Sequence, residues 1–126
     1  MTNQEKTFNR NILIAVDESE NARRAVSYVG RLLGGLEGFK VLILHVVPEP
    51  DEDFFRTGAE KEQWLEERSR KVEALLSDYR RMLVEAGFDE DRVSTRSTLR
   101  YCPSMAQCIL EERDETDYST IVVGRQ

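Results

Sequence analysis

A single histidine, His45, and two cysteines, Cys102 and Cys108, are all the imidazole and thiol this 126-residue chain has. One histidine cannot build a histidine cluster around a metal or a histidine dyad. The cysteines lack the Cys-x-x-Cys spacing of a zinc or redox site, and they read as reduced, inert thiols, although a cysteine near a helix start, as Cys102 is, can have a lowered pKa. No apolar run approaches the roughly 20 residues that span a bilayer, which excludes a membrane span. Met1 to Arg10 is polar and lacks the apolar centre of a secretory signal, so the expected location is the cytoplasm. Basic residues are outnumbered, 18 against 24 acidic for a net charge of −6, and they form no stripe, which argues against nucleic acid as a partner. Internal repeats, low-complexity stretches and linkers are missing as well.

What is present is alternation. With 40% apolar and 33% charged residues, the chain reads as one soluble domain over residues 1–126. Ile12 to Val16 is a continuous apolar run, the mark of a strand buried on both faces, and it meets a helix start at Asp17-Glu18-Ser19. Ala22, Ala25, Val26, Val29, Leu32 and Leu33 give that helix one apolar stripe, and Gly34-Gly35 supplies a left-handed exit. Val41 to Val47 is a second interior strand, stopped by Pro48. A loop containing Phe54-Phe55 leads to a helix expected from about Ala59 to Ala86, with Trp64 packing the loop or the sheet edge. Val93 to Leu99 is a more polar strand suited to an edge. Pro103 then opens a third helix, with Ser104 and Gln107 as a capping box and Met105, Ala106, Ile109 and Leu110 on its buried side. Glu111, Glu112, Asp114 and Glu115 read as a solvated acidic face. Tyr118 to Val123 is the fourth strand. Strands alternating with helices in this way predict an α/β fold, a three-layer doubly wound parallel sheet of Rossmann type.

The chain closes on Thr120-Ile121-Val122-Val123-Gly124-Arg125-Gln126, an apolar strand running into glycine. In open parallel sheets, ligands sit beyond the carboxyl ends of such strands, so this ending and that of the first strand mark where a site belongs. Backbone N–H groups there can hold phosphates without net positive charge.

Three pieces resemble the universal stress protein family. Ile12 to Ser19 follows its opening pattern I-x-x-A-x-D-x-S, with Ala22 and Ala25 in the alanine-rich helix after it. Leu44-His45-Val46-Val47 is similar to the ending of its second strand, and Asp117 to Arg125 to its entry into the nucleotide loop. The resemblance implies a cytoplasmic stress-response regulator that binds ATP or another adenine nucleotide, with Mg2+ accompanying it, and at most slow ATP hydrolysis. By the same likeness, Ala15, Val16 and Val46 border the adenine, and Val123, Gly124 and Arg125 begin the phosphate loop, glycine permitting positive φ and close approach to an anion. Asp17 accepts hydrogen bonds from ribose or adenine. The residues also admit a plainer role, with Asp17 or Ser19 capping the first helix, and one residue can do both. Many family members carry a longer glycine-rich loop and a fifth strand that builds a homodimer. Here four strands are present and the fifth is absent, so the domain reads as incomplete at its C-terminus, and an uncovered fourth strand is expected to recruit partners.

A competing reading is a module of the same fold that acts through dimer or protein-partner contacts without nucleotide. A phosphoacceptor receiver domain needs an aspartate ending strand three, and Val93 to Arg100 has none.

Overall fold

The computed structural model describes residues 10–124. Strands β1 (Asn11–Ala15), β2 (Lys40–Pro48), β3 (Val93–Arg100) and β4 (Thr120–Val123) alternate with helices α1 (Glu20–Leu33), α2 (Gly58–Glu85) and α3 (Met105–Glu115). All strand pairs are parallel, in the order β3-β2-β1-β4. The doubly wound α/β architecture is therefore the one the sequence predicts. Chain direction across the sheet reverses after β3, and with right-handed crossovers this sends α1 and α2 to one face and α3 to the other.

The larger core forms on the α1–α2 face. Ile12, Ile14 and Val16 of the first strand region, and Val41, Ile43 and Val47 of β2, meet Val26 and Val29 of α1 and Val72, Leu76, Tyr79 and Leu83 of α2. Alternate residues of the same strands, Leu13, Ala15, Leu42, Leu44 and Val46, pack toward α3 around Cys108. This two-sided burial is why β1 and β2 read as unbroken apolar runs.

Element ends differ slightly from the sequence expectation. The left-handed residue after α1 is Gly35, at φ 86°, while Gly34 stays at φ −60°. Pro103 lies outside α3, because Ser104 is the N-cap and its hydroxyl accepts from the Gln107 N–H at 3.1 Å. The Gln107 side-chain amide turns along the helix instead, its Nε2 donating to Glu111 at 3.3 Å. As expected, Trp64 packs the loop, with its ring 5.6 Å from Phe55.

Three expectations are overturned. Of the residues expected on the buried side of α3, Met105, Ala106 and Leu110 are exposed and Ile109 is half-buried, because the helix turns Cys108 and Glu112 toward the sheet instead. Cys102 and Cys108 are joined in a disulfide with their Cα atoms 5.8 Å apart. Cys102 follows β3 and the chain folds straight back into α3, so the inward-facing Cys108 on the second turn comes under it, a closeness that spacing alone did not disclose. Glu112 is 1% exposed and not part of a solvated face. Arg96, Thr98 and Arg100 alternate onto the α3 side of β3, and there Glu112 accepts from Arg96 Nε at 3.0 Å, from Arg100 Nη1, and from Thr98 Oγ1 at 3.4 Å. An edge strand with a polar face needs a polar partner, and α3 supplies it.

Candidate functional site

The sheet order reverses between β1 and β4, the point at which crevices open in doubly wound sheets. A pocket of about 150 Å³ lies there, at the carboxyl ends of β1, β2 and β4. Ala15, Val16 and Asp17 line it from the end of β1, Leu44 and Val46 from β2, and Val123 and Gly124 from β4. Ala22 of α1 and Met105 and Ile109 of α3 complete the wall. The Cys102–Cys108 disulfide ties the β3–α3 connection to the helix that carries Met105 and Ile109.

The loop after β1 is held from three sides. Asp17 Oδ1 accepts from the Ser19 N–H at 2.8 Å, and the Ser19 hydroxyl accepts from the Ala22 N–H at 3.1 Å as the N-cap of α1. Capping thus falls to Ser19, which does not line the pocket, while Asp17 both braces the cap and borders the pocket. On the other side, the Tyr79 hydroxyl of α2 donates to the Asp17 carbonyl at 3.0 Å. Burial pushes the Tyr79 phenol above its ordinary 10.0, so it stays a neutral donor. Partial burial pushes the Asp17 carboxyl up, but hydrogen bonds from Ser19 and the nearby His45 outweigh it and leave the group below its ordinary 3.8. At neutral pH the pocket rim therefore carries one carboxylate able to accept hydrogen bonds.

Gly124 differs from expectation in the reason glycine is needed. It is not among the positive-φ glycines, and a Cβ there would lie 2.2 Å from the Asn21 carbonyl oxygen and 2.8 Å from the Ala22 nitrogen. The close approach it permits is that of β4 to the first turn of α1. Arg125, the remaining candidate, lies outside the described residues. Sequence reasoning did not assign Ala22, Leu44, Met105 or Ile109 to the site. For Met105 and Ile109 the available signal was their helical spacing, which reads equally as core. Among the described residues, no group of three or more His, Cys, Asp or Glu side chains is placed to hold a metal ion. Nor is any helix among them long and apolar enough to cross a membrane.

Comparison with known proteins identifies the family and the fold. The profile described as "Universal stress protein family" matches residues 9–126. A universal stress protein, UspA, from Lactobacillus plantarum superposes with a TM-score of 0.69 at 16% identity, covering 94% of this chain and 78% of that one. A family protein from Burkholderia pseudomallei gives 0.65 at 21% identity, covering 93% and 82%. A universal stress protein solved in complex with cAMP gives 0.66 at 18% identity, covering 93% and 77%. At these identities the structural likeness establishes the fold alone. A search of curated proteins found no significant match.

Proposed function

Because the chain belongs to the universal stress protein family, we propose that it is a stress-response protein whose pocket at the β1–β4 reversal binds an adenine nucleotide. The observation that carries this reading is the convergence of Ala15, Val16, Asp17, Val46, Val123 and Gly124, scattered along the chain, on one pocket at the switch point. Its apolar strand-end walls suit the flat, weakly polar face of a purine, and the Asp17 carboxylate is placed to accept from a ribose hydroxyl or the adenine amino group. The solved relative with cAMP supports the adenine class.

Volume sets what the pocket can hold. About 150 Å³ accommodates a base, whereas sites for whole drug-sized ligands span roughly 300–1,000 Å³. Ribose and phosphates would therefore extend past Gly124, and Mg2+ would arrive with the phosphates of ATP. Ala15, Val16, Val46 and Val123 would border the base, with Arg125 in the segment beyond Gly124. The function is regulatory binding with at most slow hydrolysis, in a cytoplasmic homodimer. The small volume is also what favours the second reading, an interaction module that needs no nucleotide.

Calorimetric titration with ATP, ADP, AMP and adenosine separates the two. The proposal expects saturable binding shared by all four, and at least tenfold weaker binding to Val123→Phe, which fills the pocket from a half-exposed position. No saturable heat with any of the four overturns it in favour of the interaction module.

A further inference from the structure

A second cavity, of about 360 Å³, lies on the other face of the sheet, between α2 and the edge strand β3. Val47, Trp64, Val72 and Leu99 give it apolar and aromatic walls. In the parallel pairing of β2 with β3, His45 lies opposite Ser97 and Val47 opposite Leu99, so these four side chains share the α2 face. His45 is 2% exposed, and its Nδ1 has no hydrogen-bond partner. Arg68, in the cavity wall, has a buried Nε that is likewise unpartnered. Its guanidinium is not loose, because Nη1 is paired with Glu18 at 3.0 Å.

Folded proteins seldom leave buried polar groups unsatisfied, and the unpartnered Arg68 Nε in the cavity wall points to something that fills it. Water would satisfy the nitrogen but leave Trp64 and Leu99 facing solvent. A molecule with an apolar body and one anionic group satisfies both halves. The volume falls within the roughly 300–1,000 Å³ of small-molecule sites.

We propose that this cavity binds a small amphipathic monocarboxylate. The apolar body lies against Trp64, Val72 and Leu99, and the carboxylate accepts from Arg68 Nε in a charge-assisted hydrogen bond. Glu73 also borders the cavity, and its like charge disfavours phosphates and dicarboxylates and keeps the single carboxylate at the Arg68 end. The sheet separates this cavity from the pocket at the β1–β4 reversal.

Trp64 is the only tryptophan, and its fluorescence reports on the cavity directly. Titration with 3-phenylpropionate is expected to give a saturable change, and the neutral 3-phenylpropanamide to bind at least tenfold more weakly. Arg68→Gln should weaken the acid at least tenfold and erase the preference over the amide. Ser69→Phe, at an exposed position on the cavity wall, should block both probes and decides the matter if Arg68→Gln does not fold. Absence of a saturable response at millimolar concentration, equal affinity for acid and amide, or binding undiminished in Ser69→Phe overturns the proposal.

Discussion

The two faces of the sheet are built by different physics. Against α1 and α2 the sheet packs a broad apolar core, closed by the fully buried Tyr79 and Leu83. Across this face the two helices are also joined by the exposed Arg23–Asp78 pair at 2.9 Å. Against α3 the apolar cluster is smaller, and the helix is secured by a disulfide at one end and a buried carboxylate between two arginines of β3 further along. The first face buries the larger apolar cluster. The second, with fewer apolar contacts, leaves room at the strand ends for a pocket. This difference is what the topology makes available, since the crossover reversal places a lone helix beside the switch point.

The contrast predicts unequal costs for equal truncations. Leu83→Ala, at a site with no exposure, should cost about 3 kcal/mol, within the range of buried leucine truncations. Ile109→Ala, on the half-buried rim of the pocket, should cost about 1 kcal/mol because water already reaches it. Urea denaturation of both variants measures the difference; similar losses would dissolve the distinction between the faces.

A smaller effect comes from pH. Burial, followed by the Arg68 cation, holds the His45 imidazole below its ordinary 6.5, although Glu18 and Asp17 oppose this. The unfolded chain therefore takes up the proton first as pH falls. Stability from neutral His45 is fully present above 6.5 and is lost as pH drops from there through the folded-state value. Asp17 and Asp78, both held below 3.8, add a second loss only below that pH. Denaturation midpoints measured from pH 7.5 to 5 should decline in the native chain and stay nearly level in His45→Gln. An equal decline in both would place the sensitivity elsewhere.

How much of this was legible in the sequence follows the same division. β1 and β2 were readable because both faces of each strand are buried, and α1 because its stripe meets only one face. Glu112 was not, since its burial depends on which face of β3 carries Arg96 and Arg100, a fact of strand register. The disulfide escaped for a related reason: a turn brings the two cysteines together, and no spacing motif encodes it. For the site, Ala15, Val16, Val46 and Val123 were named from the family resemblance and Asp17 also from its place at the end of the first strand, whereas Met105 and Ile109 join them only through the docking of α3. Gly124 was expected at positive φ and is not; the need for glycine that the structure shows is the approach of the first turn of α1, which the sequence does not reveal.

The most direct test of the account is methyl NMR of the protein titrated with AMP, which asks which face responds. Binding at the switch point predicts saturable shifts for Ala15, Val46, Ile109 and Val123, with Val72 and Leu83 unmoved on the opposite face. Shifts centred on Val72 and Leu83, or none at saturating AMP, would contradict it.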